Sequence, residues 1–270
     1  MDLSIIINNY KNPDLLRLCI KSIQKNTNNV DYEIIAIDCA TEEVTEMMMR
    51  EEFPKINFFS FLENVGFQKM VRKGIENSKG DYLLILNGDV LVKENSIKKM
   101  LDYIKGDSSI GLIGPKLLNF NGTSQDSCFR FYKPITIIYR RTILGKLPFA
   151  KKHLNWFLMR DYNHQDPKEV DWIMGSALMI SRIALDKVGF LDTRFFMYME
   201  DVDWCRRFWE NGLKVIYFPL AEMLHYHGKG SGRKGFFYSI FRNKLTWIHI
   251  SSAIKYFIKY WGKKNPRFNE

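Results

Sequence analysis

Short apolar runs alternate with stretches of helical spacing through the first third of the chain. Residues 3–7 are almost wholly apolar and read as a buried strand. Pro13 then opens a helix carrying Leu15, Leu16, Leu18, Ile20 and Ile23, and turn residues at 26–29 end it. A second strand spans 32–37 and is closed by Asp38. A Glu/Met-rich helix follows at 42–52, then a strand at 57–61 and a loop at 63–66 that feeds a helix running to Ile75. Residues 81–86 form a strongly apolar strand that stops at Asn87-Gly88-Asp89. Strands alternating with helices predict a parallel α/β sheet. Such sheets bind ligands beyond the carboxyl ends of their strands, and Asn8, Asn9, Asp38, Asn87 and Asp89 all stand there.

Further along, the pattern predicts a helix at 96–104, a short strand at 110–113 and a turn at 119–124. Residues 129–160 mix aromatics, aliphatics and cations without a sustained period and read as a mobile excursion. Order resumes with a strand at 170–180 around Gly175-Ser176, a helix at 182–188 stopped by Gly189, and a helix from Glu200 to Trp209 stopped by Gly212. The last strands are 215–218 and 223–225. From Phe236 to Trp261 the pattern is helical, basic and aromatic.

With 270 residues, 46% hydrophobic and 26% charged, the chain has the composition of a folded globular protein, which excludes a disordered or collagen-like one. Its net charge of +10 is localised. Residues 130–160 hold eight cations and no acid, residues 233–270 nine cations and one acid, so the remainder is net negative. Nucleic acid is attracted to such patches, but no helix-turn-helix, zinc-finger or RNA-binding signature accompanies them. A solvated surface is a second reading. The third, which we prefer, is an anionic membrane surface: Trp247, Ile254, Tyr256, Phe257, Tyr260 and Trp261 interleave with Lys255, Lys259, Lys263 and Lys264, as in basic interfacial helices. A homo-oligomer built on the same aromatics is its rival. Cys19, Cys39, Cys128 and Cys205 show no CxxC spacing, so reduced thiols and a cytoplasmic setting are expected. The N-terminal apolar run is short and follows Asp2, which predicts no export, and no run approaches the roughly 20 apolar residues of a membrane span.

Three constellations carry candidate chemistry. Asn87-Gly88-Asp89 places a carboxylate at a strand end beside a tight turn, which suits a divalent cation held against a diphosphate, though the same tripeptide is an ordinary turn. Glu200-Asp201-Val202-Asp203 puts acids in a helix's first turn, where the helix dipole favours them and where one could act as a general base. Asp203 is spaced to pair with Arg206 or Arg207 on the helix surface, leaving Asp201 free. His225 and His227 share a face if their strand continues, and two such histidines can ligate metal. The glycine-rich stretch after His227 could close over a phosphate or be a plain surface loop.

Taken as a set, SIIINNY (4–10), EIIAIDCAT (33–41), NVGF (64–67), GDYLLILNGDV (80–90), GPKLL (114–118), VDWIMGSALM (170–179) and GFLDTRFFMYMEDVDWCR (189–206) resemble the family 2 glycosyltransferases of the GT-A fold, rhamnosyltransferase-like branch. The resemblance implies a Rossmann-like, mostly parallel sheet in a domain at 1–232, with a nucleotide-binding half at about 1–115 and an acceptor half at about 116–232. A basic amphipathic tail covers 233–270. It implies Asn9, Tyr10, Asp38, Asn64, Gly66, Arg72, Asn87, Gly88 and Asp89 at the nucleotide, with Asp38 on the pyrimidine. Asp89 with His225 or His227 would hold Mg²⁺ or Mn²⁺. Asp201 would be the catalytic base beside Glu200, and Trp172, Gly175, Ser176 and Glu200 would face the sugars. Two positions depart from the branch: Gly88 replaces its usual Pro, and Arg72 stands where many relatives have Asn. The reaction implied is inverting transfer, best assigned to rhamnose from dTDP-rhamnose, onto a lipid-linked cell-surface polysaccharide precursor at the inner membrane face. A UDP-sugar-dependent hexosyl, galactofuranosyl or N-acetylhexosaminyl transferase is the alternative, and a non-catalytic nucleotide-binding module the reading from another class.

Overall fold

The computed structural model describes residues 1–226 and 244–268. His227, the glycine-rich stretch and the boundary expected at 232 lie outside the described residues. The first half contains β1 (Leu3–Tyr10), α1 (Pro13–Asn26), β2 (Tyr32–Cys39), α2 (Glu43–Glu52), β3 (Asn57–Phe61), α3 (Phe67–Glu76), β4 (Tyr82–Asn87), β5 (Val90–Val92), α4 (Ser96–Gly106) and β6 (Ile110–Leu118). The second contains β7 (Cys128–Phe129), α5 (Pro134–Arg141), a 3₁₀ turn (Ile143–Lys146), α6 (Pro148–Phe157), β8 (Lys168–Glu169), β9 (Trp172–Ile173), β10 (Ala177–Ser181), α7 (Arg182–Val188), α8 (Glu200–Glu210), β11 (Lys214–His225) and α9 (Lys244–Lys259).

Among the described residues one nine-stranded sheet runs β3-β2-β1-β4-β10-β6-β11-β5, with β8 also on β11. The block β3-β2-β1-β4 is parallel, as is β6 with β11. β10 lies antiparallel between β4 and β6, so the sheet is mostly parallel rather than wholly so. Side chains of a strand alternate between faces, and β1 shows the consequence: Ile5 and Ile7 pack with Leu16, Ile20 and Met100 of α1 and α4, whereas Ile6 packs in the second core, which also takes in Met70 of α3 and Phe208 of α8. Each such fully buried aliphatic contributes roughly 1.5–3 kcal/mol of transfer free energy. At the start of α1 the Asn12 side chain caps the helix by accepting from Leu15 N, and Pro13 occupies the first turn, where no N–H is required.

Several local expectations are corrected. The strand expected across 170–180 is split into β9 and β10, because residues 174–176 turn aside to bond elsewhere: Met174 N donates to Ser127 O (2.9 Å) and Asn87 N to Ser176 O (2.9 Å). β6 extends to Leu118 because β11 follows it to Leu224, and β11 is one bulged strand rather than two. Residues 129–160 form two helices. Their inward residues have no single period because the anchors are aromatic and scattered: Phe129 stacks on Trp172 (4.3 Å) and on Phe157 (5.4 Å), and Thr136 and Ala150 are fully buried.

The inner face of α9 is part of the core. Ala253, Tyr256 and Tyr260 are buried in the cluster that also holds Trp204 and Phe208 of α8. Lys259 pairs with Asp192 and Asp203, and Ser252 Oγ donates to Met197 O (2.8 Å). Its outer face leaves Trp247, Ile254, Ile258 and Trp261 exposed. Among the described residues no helix is long and apolar enough to cross a membrane.

Candidate active site

The ends of β1, β2 and β4 build the first part of the site. Parallel register sets Asn9 opposite Asp38, and Asn9 Nδ2 donates to Asp38 Oδ1 (2.8 Å). Asp38 is fully buried. Burial pushes its carboxyl above the usual range, against the pull of hydrogen bonds from Thr41 and Asn9, and its Oδ2 has no protein partner. Buried polar atoms are rarely left unpaired, so Oδ2 is an acceptor awaiting a ligand donor. Beside it Asn64 Oδ1 accepts from Gly66 N (3.0 Å) and Cys39 Sγ (3.8 Å). Gly66 has φ +85°, a conformation that side-chain-bearing residues seldom adopt, and this shapes the loop entering α3. Gly88 is demanded by space, since a Cβ there would lie 2.7 Å from Asn9 Oδ1. Tyr10 stands half-exposed at the rim.

Asp89 follows Gly88 and faces His225 at the end of β11. The β11–β5 pairing brings them together: Val90 is opposite His225, and Tyr226 N donates to Asp89 O (2.9 Å). His225 Nε2 lies 3.6 Å from Asp89 Oδ1, a buried oxygen with no hydrogen-bond partner. Desolvation pushes the Asp89 carboxyl up to about 6. Gln125 orients the imidazole. Its amide nitrogen donates to His225 O (2.8 Å) and Asn119 Oδ1 (2.9 Å), so its oxygen faces Nδ1 (2.9 Å) and takes the Nδ1 proton. Nε2 then turns its lone pair toward Asp89 and Ser176 Oγ (3.3 Å). An acceptor nitrogen, an unsatisfied carboxylate oxygen and an oriented outer partner fit a divalent cation. No cage of three or more acidic, histidine or cysteine groups exists among the described residues, so such an ion would take its other ligands from water and phosphate.

On the other side of the 174–176 turn stands Asp201. Tyr198 and Met199, both at positive φ, bend the chain sharply into α8 and present Glu200 and Asp201 in its first turn. Asp201 Oδ2 accepts from Gly175 N (3.0 Å) and Oδ1 from Val202 N (2.8 Å). Burial pushes its carboxyl up to about 6 although both bonds favour the ionised form. Glu200 is raised much further by burial and by the neighbouring Asp201 charge, and its Oε2 has no partner. Glu200 therefore holds its proton more tightly than Asp201, which sets the two carboxyls apart.

The structure thus gathers Asn9, Asp38, Asn64 and Gly66 at one end, and Asn87, Gly88, Asp89, Ser176 and His225 in the middle. Gly175, Glu200 and Asp201 lie beyond. Trp172 is built into the aromatic core, its indole N–H donating to Arg130 O (2.9 Å). Arg72 is turned aside, bonded to Glu76 (2.7 Å) and stacked on Phe190. Asp203 differs from the expectation of a surface pair: it is fully buried, and besides Arg207 (2.9 Å) it holds Lys259 and the Tyr260 hydroxyl (2.7 Å), while Arg206 pairs with Glu210. Gln125 escaped sequence reasoning because it lies 100 residues from His225 and belongs to no motif.

Strand-end polar groups on this mixed α/β sheet, with two half-buried carboxylates flanking one turn, define a GT-A-type glycosyltransferase. The crystal structure of GalNAc-T7 with UDP, GalNAc and Mn²⁺ shares the fold at a TM-score of 0.64 and 17% identity, over 83% of this chain and 44% of that one. The sequence model of glycosyl transferase family 2 matches residues 4–205, and the chain belongs to that family. Among its relatives is the N-acetylglucosaminyl-diphospho-decaprenol L-rhamnosyltransferase of Mycobacterium tuberculosis, 26% identical over 81% of this chain and 74% of that protein. Rhamnosyltransferase WbbL of Escherichia coli K12 is 21% identical over 98% and 96% of the two chains. The hexosyltransferase Agl10 of low-salt glycan biosynthesis in Haloferax volcanii is 23% identical over 83% and 67%.

Proposed function

We propose that this glycosyltransferase moves rhamnose from dTDP-rhamnose onto a lipid-linked precursor of a cell-surface polysaccharide, with inversion at the anomeric carbon. The observation that supports the reading is that Asp201 and the Asp89–His225 pair stand on either side of the 174–176 turn, one held by Gly175 N and the other beside Ser176. Asp201 takes the proton of the acceptor hydroxyl as its oxygen attacks the anomeric carbon. The bond from that carbon to the diphosphate breaks in the same displacement, and the nucleoside diphosphate leaves with the bonding pair. Asp89 and His225 would hold Mg²⁺ or Mn²⁺, whose contribution is to neutralise charge on the diphosphate. Glu200 turns its unpartnered carboxyl oxygen to a sugar, and the backbone at Gly175 keeps Asp201 in place. Asp38 Oδ2 is the acceptor for the N3–H of a pyrimidine. Uracil shares that N3–H with thymine, so a UDP-hexose is the second reading of the donor. The basic segments would hold the enzyme to the cytoplasmic face of an anionic membrane, where such precursors are made.

The test is thermal stabilisation by dTDP, UDP, GDP, CDP and ADP with Mg²⁺ or Mn²⁺, followed by transfer assays with the matching sugar. Binding of ligand to the native state alone raises the melting temperature. A cation-dependent shift largest for dTDP is expected. A shift confined to UDP replaces the donor, and no shift with any nucleotide rejects the reading.

A further inference from the structure

Two buried oxygens without a protein partner, Asp38 Oδ2 and Asp89 Oδ1, are accounted for by a nucleotide and a cation. Three further side chains around the site share that condition and have been given no role or only a partial one. Both amide atoms of Asn8, Oε1 of Gln68 and Oε2 of Glu200 have no hydrogen-bond partner among the described residues. Each residue is more than nine-tenths buried, with exposures of 6%, 5% and 8%. Buried polar atoms are nearly always paired, and leaving one unpaired opposes folding, so neutral amides kept bare at two such positions call for a ligand.

The three lie on one side of the sheet and at one end of it. Asn8 alternates with Asn9 along β1, so it points with Ile6 to the face covered by α3 and α8. It is in register with Asn87, and its carbonyl accepts from Gly88 N (2.8 Å), which fixes it against the turn that ends in Asp89. Gln68 stands in the first turn of α3 and Glu200 in the first turn of α8. The two helix entries touch: a Cβ on Gly66 would lie 3.0 Å from the ring of Phe196, in the segment leading to α8, and 3.1 Å from Gln68 Oε1. A donor sugar is joined to the diphosphate at its anomeric carbon, where the acceptor oxygen activated by Asp201 attacks. Asn8 adjoins the Asp89 turn, Glu200 adjoins Asp201, and Gln68 stands where the α3 and α8 entries meet. A carboxamide offers two N–H donors and a carbonyl oxygen, and a sugar hydroxyl both donates and accepts, so the amides match vicinal hydroxyls with no charge required.

We propose that Asn8 and Gln68 are specificity-determining residues that hydrogen-bond hydroxyls of the donor sugar, on the same edge as Glu200. The assignment rests on the readings of Asp89 and Asp201 given above, and it adds the residues that tell one donor sugar from another. A site built to bond a hydroxyl discriminates strongly against a sugar that lacks it, because its own buried groups are then left bare.

The probes are dTDP-rhamnose and dTDP, each titrated calorimetrically with Mg²⁺ into the full chain and into the double variant Asn8→Leu/Gln68→Met, with UDP-glucose and UDP titrated in parallel. The variant is expected to lose at least about tenfold in affinity for the nucleotide sugar and to hold the bare nucleotide within about twofold, which also shows that it is folded. Its melting temperature should stay level or rise, because apolar groups of similar size replace amides that have no partner in the free protein. The single variants should each show part of the loss. Unchanged affinity for the nucleotide sugar overturns the proposal. So does an equal loss for nucleotide sugar and nucleotide, which would place the amides at the nucleotide, and so does loss of both together with a lower melting temperature, which would assign them to the fold. The contrast appearing with the UDP pair instead of the dTDP pair would replace the donor named above and uphold these residues. Binding of the dTDP pair with no contrast would reject these residues and leave that donor standing.

Discussion

Asp89 and Asp201 reach the same acidity, about 6, by different architecture. Asp89 ends a strand, keeps one oxygen bare, and is faced by an imidazole whose own orientation is fixed from behind by Gln125. Asp201 begins a helix, and each of its oxygens already accepts a backbone N–H. A bare oxygen beside an acceptor nitrogen is prepared for a cation from outside. A carboxylate aimed by two backbone bonds is prepared to take a proton without changing place. The halves around them differ correspondingly. The sheet around Asp89 is held by contiguous parallel pairing, whereas the helices around Asp201 are held by buried charge between α8 and α9.

The sharpest way to break this comparison is at the two acids. Asp201→Asn should lower turnover by about 10²–10⁴-fold with nucleotide affinity intact, whereas Asp89→Ala should lose both rate and the cation-dependent part of nucleotide affinity. Equal signatures in single-turnover and binding measurements would erase the distinction. The wild-type rate should fall as pH drops through about 6, since in the proposed role Asp201 takes a proton only when ionised.

Next in size is the buried charge between α8 and α9. Asp203 is fully buried against Lys259, Arg207 and Tyr260, and removing one partner of such a set strands the others. Asp203→Ala should cost about 3–5 kcal/mol in denaturant unfolding. A cost below about 1 kcal/mol would mean that α9 is not secured through this charge.

Asp201→Asn should also shift stability with pH, although its amide can accept from only one of the two backbone N–H groups. The folded carboxyl is raised from its ordinary 3.8 to about 6, so keeping it ionised in the fold opposes stability above that pH. Relative to its standing against wild type at pH 3.5, the variant should gain on the order of 1–3 kcal/mol at pH 7.5. The gain should shrink as pH falls through 6 and vanish below about 4, where both folded and unfolded wild type are protonated. A stability difference between variant and wild type that is the same at pH 3.5 and 7.5 would refute the assignment. The smallest effect is expected at Arg72: its exposed pair with Glu76 should make Arg72→Gln neutral within about 0.5 kcal/mol and leave nucleotide binding unchanged.

Legibility followed the same division. The strand ends at Asn9, Asp38 and Asn87-Gly88-Asp89 were readable because a parallel strand is a short apolar run and its first polar residue marks the binding edge. The excursion at 129–160 was not readable. Its order comes from Phe129, Phe157 and Trp172 stacking across three elements, which leaves no period in any one of them. Asp203 was misread for a related reason: i,i+4 spacing to Arg207 looks the same whether the pair faces water or, as here, the underside of α9. Gln125 left no signal at all.

By itself the sequence determined the alternation of strands and helices, the polar strand ends, the acids that open α8 and the family to which the chain belongs. These are local properties: period, capping and turn chemistry act over a few residues and are written in consecutive letters. Only the tertiary structure decided that Ser176 and Gly175 stand between Asp89 and Asp201, that Gln125 aims His225, and that α9 seals Asp203. Each of these depends on residues far apart in the chain whose proximity is set by burying aromatic surface and satisfying buried charge, and those free energies belong to the assembled fold rather than to any segment of it.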